Sequence, residues 1–316
     1  MYFPYLFGRQ SELRALQSLC TGYSASGKVV PVIEPVVKKP NDLLRCLGQL
    51  GEKNAQAVIV LNPEQGDFNK GGAKEWRKEV NGLLRKHKCL IPAIKCGPKV
   101  TAKTVESSLK AYSTHQTAIL YSSPALTDDE LAILTPNPSI LYHICLQGKI
   151  SAHQRYMLPS KKAVDIVDYF NKQVRNADYS GTELFTDQHK LFAKTGIGFG
   201  DYTVTGSIFQ PGGGKPGAVA LHMTYKHPKT KDVWVEHFVS DDMDVNTGSA
   251  ASKYLEAVSK LTPHLVPRKT EFGLNSALDA YALDANSGHF PGLGKSKERQ
   301  IYHHIAVMHD VLHGKL

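Results

Sequence analysis

The chain has 316 residues, 41% of them hydrophobic and 21% charged, which excludes wholesale disorder and leaves room for one large domain or two ordinary ones. No apolar run approaches the roughly 18–20 residues needed to cross a bilayer, and the opening M-Y-F-P-Y-L-F-G-R-Q has no basic segment ahead of an apolar one, so it does not read as a secretory signal. Lysine and arginine number 38 against 29 aspartate and glutamate, a net charge of +9 that permits a polyanionic partner without demanding one.

Short apolar runs at 2–6, 29–33, 57–61, 89–94, 117–121, 139–146, 163–168 and 199–204 are rich in β-branched or aromatic residues and mostly continuous. Strands buried on both faces read this way. Amphipathic stretches lie between them. Leu13, Leu16 and Leu19 share one face, as do Leu43, Leu44, Leu47 and Leu50, then Trp76, Val80, Leu83 and Leu84, then Val105, Leu109 and Tyr112. Thr127 followed by Glu130 is a capping-box signature ahead of Leu131 and Leu134. The runs begin about every 28 residues on average, room for a strand, a crossover helix and two short loops. Eight such units predict an α/β fold, a (β/α)8 TIM-like barrel over residues 1–205, rather than an open sheet, because no dinucleotide fingerprint follows the first strand. The connection at 147–162 carries no helical stripe and is the expected irregularity.

Beyond residue 205 the pattern changes. Q-P-G-G-G-K-P-G at 210–217 reads as a loop, followed by strands at 218–225 and 233–239 about a turn region at 227–232. Helices are predicted at 253–261 and at 298–312, the last with Ile301, Ile305, Met308 and Leu312 as its stripe. Residues 206–316 are therefore expected to form a β-hairpin-plus-helix elaboration packed on the barrel, not an independent domain.

Several blocks resemble the bacterial and phage "beta protein"-like family: Y-F-P-Y-L at 2–6, G-R-Q-S-E-L-R-A-L at 8–16, P-V-I-E-P at 31–35, R-N-A-D-Y at 175–179, G-F-G-D-Y at 198–202, A-L-H-M-T-Y at 220–225 and H-F-V-S-D at 237–241, with His303 and His304 near the end. The resemblance covers most of the chain. It implies a TIM-like barrel and a setting near phage-defence or mobile-element genes, and it carries no reaction.

Other motifs fail on chemistry. G-Y-S-A-S-G-K at 22–28 has Val29 where a phosphate loop needs Ser or Thr, and it precedes a strand instead of following one; it reads as a turn. Asp242, Asp244 and Asn246 have calcium-loop spacing, but Thr247 stands where glycine is needed and Lys253 where the bidentate glutamate belongs. His309 and His313 share a helix face without a completing carboxylate and read as a solvated or boundary pair. Cys20, Cys46, Cys89, Cys96 and Cys145 form no C-x-x-C pair, which predicts reduced thiols in a cytoplasmic protein. Positive charge is scattered, so nucleic-acid contact through a basic surface would be non-specific and salt-sensitive.

The stronger signal is positional, because residues at the C-terminal ends of barrel strands converge on one mouth. Arg9 and Gln10 follow the first strand, Glu34 the second and Asn62 the third. Lys95 ends the fourth strand, Tyr121 the fifth. His143 lies within the sixth, Asp165 and Asp168 on the seventh, Asp201 on the eighth and His222 on the strand that follows. Buried charges there must be paired: Glu34 with Arg9 or Lys95, and Asp168 or Asp201 with Arg175. Glu34, Asp168 and Asp201 are the candidate catalytic carboxylates. Arg9, Gln10, Lys95, Asp178, Tyr179 and His222 are candidate ligand contacts, with the last three near the rim. Gly198 and Gly200 would let a phosphate approach the backbone. The expected ligand is an anionic, phosphate-bearing molecule, with a divalent metal such as magnesium or manganese bridging to the carboxylates for phosphoester hydrolysis or transfer. The competing readings are a structural ion-pair network, and a non-catalytic scaffold that meets nucleic acid or a partner protein of a defence module, with no membrane involvement.

Overall fold

The computed structural model describes residues 1–22 and 27–316; the turn read at 22–28 falls in part on residues 23–26, outside the described residues. Strands β1 (Tyr5–Leu6), β2 (Val32–Ile33), β3 (Ala57–Val60), β4 (Leu90–Cys96), β5 (Thr117–Tyr121), β6 (Ile140–Leu146), β7 (Ala163–Ile166), β8 (Thr182–Thr186) and β9 (Gly198–Gly200) occupy the first two-thirds of the chain. All but β8 join one parallel sheet in the order β1-β2-β3-β4-β5-β6-β7-β9. The last strand returns to the first. Tyr2 bridges Phe199 in parallel, and the Phe3 and Tyr5 N–H groups donate to the carbonyls of Phe199 and Asp201, each at 2.8 Å. The result is a nearly closed (β/α)8 TIM-like barrel, and its strands fall within a few residues of the apolar runs. Those runs are continuous because one face of each strand packs the interior and the other packs helices.

Helices α1 (Gln10–Gly22), α2 (Asn41–Glu52), α3 (Ala73–Lys86), α4 (Ala102–Ala111), α5 (Asp128–Leu134) and α6 (Ala152–Met157) follow β1 to β6 in turn. The Thr127–Glu130 capping box is formed, both of its bonds present. The irregular crossover is not where the sequence suggested. Residues 147–162 hold the short α6, whose Ser151 hydroxyl accepts the Gln154 N–H, whereas 167–197, between β7 and β9, contains 3-10 turns and β8 but no α-helix.

Two compact units divide the chain: Met1–Leu13, Tyr23–Asp168 and Lys190–Tyr202 in the first, and Arg14–Gly22, Tyr169–His189 and Thr203–Leu316 in the second. In the first, the Phe3 ring fills the barrel interior edge-on against Tyr142, centroids 5.1 Å apart. Gly198 and Gly200 accommodate it: an added Cβ would stand 2.4 Å from the Phe3 ring at Gly198 and 2.0 Å from the Phe3 carbonyl oxygen at Gly200.

In the second unit, β10 (Ala220–Lys226) and β11 (Val233–Val239) form the expected antiparallel pair, and β8 adds to β11, giving the order β10-β11-β8. Four helices follow: α7 (Ala250–Leu265), α8 (Lys269–Phe272), α9 (Ser276–Ser287) and α10 (Leu293–Leu312). One sheet face packs Leu221, Met223 and Tyr225 with Tyr254, Val258 and Leu261 of α7 and Tyr281 of α9. Against β10 also lies α10, with His303 Nε2 2.8 Å from the Thr224 carbonyl oxygen and His304 Nδ1 3.3 Å from the Thr224 hydroxyl. Far more than one stripe of α10 is buried, from Gln300 through Val311. His309 is accordingly not on a solvated face: it is buried, bonds Asp310 Oδ1 through Nδ1 at 2.9 Å, and stacks on His313 with centroids 4.1 Å apart.

The Asp242–Asn246 loop carries a cation of its own. Lys253, fully buried at the start of α7, donates from Nζ to the carbonyls of Gly217 (2.6 Å) and Asp244 (2.5 Å) and lies 3.6 Å from Asp242 Oδ1. Among the described residues no helix is long and apolar enough to cross a membrane.

Candidate functional sites in the two units

The first site lies at the C-terminal ends of the barrel strands, the functional face of this architecture. Glu34, just past β2, is fully buried. Its Oε1 accepts the Lys95 ammonium at 2.6 Å, and its Oε2 accepts the Tyr5 hydroxyl and, at 3.2 Å, the Gln65 amide. Of the two partners the sequence offered Glu34, the structure uses Lys95. Lys95 sits in β4 with its backbone clamped: the Asn62 amide donates to the Lys95 carbonyl and the Asn62 carbonyl oxygen accepts the Lys95 N–H, both at 2.8 Å. A side-chain amide thus extends the β3–β4 ladder past its end and holds Lys95 in register. Tyr202 completes the cluster, its ring 4.9 Å from that of Tyr5. Burial, followed by the Glu34 and Asp168 charges, raises the Tyr202 phenol above its ordinary range. Tyr5 is raised well above it by burial and then by Glu34. Both phenols stay protonated at neutral pH.

Asp201 does not join this cluster. Phe3 occupies the space in front of Gly198 and Gly200, so those positions face the barrel interior, and the alternation of a strand turns Phe199 and Asp201 the other way. There Tyr2 meets them, its ring 5.7 Å from Phe199 and its hydroxyl donating to Asp201 Oδ1 at 2.7 Å. The close approach allowed by the two glycines serves the barrel's own first strand, not a phosphate. Asp168 is half-buried and acts on Tyr202. Arg9 stands just ahead of α1, where its N–H donates to Glu12 Oε2 at 2.8 Å, and the exposed Gln10 bonds Asp42 at 3.2 Å. Tyr121 and His143 bond each other at 2.8 Å, and Asp165 is held by a two-pronged Arg155 contact.

The metal expectation fails on its donors. Glu34 is committed to Lys95, Tyr5 and Gln65, Asp201 faces away, and among the described residues no group of three or more His, Cys, Asp or Glu side chains is arranged to hold an ion.

The second unit holds the other three expected residues. Asp178 is exposed and pairs with Arg175 at 2.6 Å, the pairing expected of Asp168 or Asp201. Its carboxyl is held low by that guanidinium. Tyr179 and His222 come together in a buried cluster that also contains His237, Phe170 and Glu183. The Tyr179 ring lies 4.4 Å from His222 and 4.9 Å from His237, and its hydroxyl accepts the Gln173 N–H at 3.0 Å. His222 Nδ1 and His237 Nδ1 are 2.9 Å apart, and His237 Nε2 is 3.2 Å from Glu183 Oε1. His222 and His237 are register partners in β10 and β11. Their N–H groups go elsewhere, to Gln300 Oε1 and the Gly181 carbonyl, as in the pairs whose side chains approach closest. Glu183 faces Val235, so it is the diagonal neighbour of His237 on the same sheet face. Burial lowers both histidines. For His222 the charges of His237 and Lys297 lower it further, to well below its ordinary value.

Sequence reasoning missed Tyr5, Tyr202 and Gln65 in the first site and Glu183 and His237 in the second. The signal for His237 was present, since the two strands and the turn between them were read, but their register was not. No family model and no curated protein matches this chain.

Proposed function

We propose that this TIM-like barrel protein belongs to the beta-protein-like family, serves in a phage-defence or mobile-element module, and binds a small phosphate-bearing anion at its barrel mouth. The family and its setting rest on the blocks from Y-F-P-Y-L to H-F-V-S-D. The ligand reading rests on Lys95. Its ammonium has three hydrogens, and among the described residues Glu34 is the single protein acceptor it meets. A tenth of the side chain is exposed, so two donors of a fixed, largely desolvated cation remain for an acceptor entering from the mouth. Glu34 balances the charge while the site is empty, and the Tyr5 phenol and Gln65 amide keep that carboxylate from turning away. A dianionic phosphate would add charge-assisted bonds to Lys95 without displacing the pair. The reading is one of binding; metal-assisted phosphoester chemistry lacks its donor set.

The test is thermal stabilisation of the full chain by inorganic phosphate, sugar phosphates and nucleotides. It compares the natural protein with Glu34→Gln/Lys95→Met, which removes both charges together. A ligand at 100 times its Kd adds about 2.7 kcal/mol, and the double variant should lose that gain. A chain indifferent to every anion, or a gain untouched in the double variant, overturns the mouth as the site. Salt-sensitive binding of DNA or RNA that the double variant retains would instead favour the scaffold reading.

A further inference from the structure

We infer that the second unit carries a proton-transfer site of its own, in which His222 Nε2 is a general base positioned by a Glu183–His237 relay, for a substrate that presents an acidic O–H. Three groups lie in a row across β8, β11 and β10: the Glu183 carboxylate, the His237 ring and the His222 ring. A carboxylate only accepts, so the 3.2 Å contact places a hydrogen on His237 Nε2. A neutral His237 then has a lone pair at Nδ1, and the 2.9 Å contact requires His222 to donate from its own Nδ1. The remaining nitrogen, His222 Nε2, is left with its lone pair, and no hydrogen bond joins it to a described residue. The same logic by which a carboxylate orients a catalytic imidazole is here extended by one ring.

The surroundings favour the neutral rings that this chain of hydrogens assumes. Phe170 and Tyr179 wall both imidazoles, at 4.9 and 4.4 Å from His222, and each histidine keeps 8% of its surface. Asn171 donates to Glu183 Oε2 at 3.1 Å, which steadies the carboxylate at the head of the row. In the step itself the substrate O–H bond breaks, its proton goes to His222 Nε2, and the electron pair stays on the substrate oxygen. The imidazolium so formed is stabilised through His237 by Glu183. Glu183 and His237 are positioning residues, since neither touches the reacting atom.

The tautomers are observable without knowing the substrate. Long-range proton–nitrogen correlation spectra of the full chain at neutral pH should show His222 with a bare Nε2 and a protonated Nδ1, and His237 with the reverse. Replacing Glu183 by Leu should release His222 into a mixture of tautomers, while His303, which bonds Thr224 and Asn275 instead, should not change. A protonated Nε2 on His222 in the natural chain, or a Glu183→Leu spectrum identical to it, overturns the relay. Diethyl pyrocarbonate, which acylates a bare imidazole nitrogen, supplies the second arm. Peptide mass spectrometry should find His222 modified. An unmodified His222 overturns its role as a base.

Discussion

Tyr2 donates its hydroxyl hydrogen to Asp201 across 2.7 Å, joining residues 199 positions apart on the outward faces of the first and last barrel segments. Both are fully buried, and burial followed by the Asp201 charge raises the Tyr2 phenol well above its ordinary range. The bond adds a side-chain fastening to the backbone closure. Tyr2→Phe should cost about 1–3 kcal/mol by removing one donor from a buried carboxylate, read as a lower urea midpoint. Asp201→Asn should likewise weaken stability and leave any anion-induced thermal shift unchanged; loss of that shift would return Asp201 to the mouth.

The Glu34–Lys95 pair should behave as a coupled unit. Removing either partner strands a buried charge, at about 3–5 kcal/mol. Glu34→Gln/Lys95→Met removes both, so its loss should fall well short of the sum of the two single losses. A double-mutant cycle from urea unfolding measures the difference, and additivity within about 0.5 kcal/mol would show the two side chains to be independent.

Acid should destabilise the protein partly through two buried histidines. Burial lowers His143 and His303 from 6.5 to about 4. Above pH 6.5 neither the folded nor the unfolded form protonates these rings, so they contribute no pH dependence. Between pH 6.5 and 4 the unfolded chain takes up protons that the folded one does not, so stability falls with falling pH and levels off below 4. Each ring accounts for about 3 kcal/mol across that window. The loss between pH 7 and 4 should shrink by this amount in His303→Gln, measured from unfolding midpoints; an unchanged acid limb would contradict the burial effect.

Gly200→Ala tests the close passage of β9 past the first strand. Its methyl would stand 2.0 Å from the Phe3 carbonyl oxygen, a backbone atom that cannot swing aside. The strands must separate locally, at a cost of about 1–3 kcal/mol or more. Thermal unfolding should show a clear drop, whereas Ala at Gly82, with open space around it, should stabilise slightly through helix propensity.

What the sequence disclosed was periodicity. Continuous apolar runs located the eight barrel strands because burial on both faces leaves no polar position to blur them. β8 escaped because three of its five residues, Thr182, Glu183 and Leu184, are partly or fully exposed. α9, S-A-L-D-A-Y-A-L-D-A-N-S, has a weak apolar stripe, although Asn275 caps it and the left-handed Gly288 ends it. Within the sites, pairings between neighbours of a ladder were harder to read than ends of strands. Asp201 was placed in the mouth because its position along the strand was right, but one step of alternation reversed its face. Arg175 took Asp178, three residues away, over the more distant carboxylates. His222 found His237 through a strand register set by residues that carry no chemistry themselves.

Lys253 gives the acidic loop an ion that cannot diffuse away. Where a calcium site fills and empties with the concentration around it, this loop has its positive charge tethered by a side chain of the adjacent helix, at an occupancy that dilution and chelators do not alter. Its order is thereby bound to the folding of α7 rather than to the composition of the solvent, and a segment with the spacing of a sensor is made permanent.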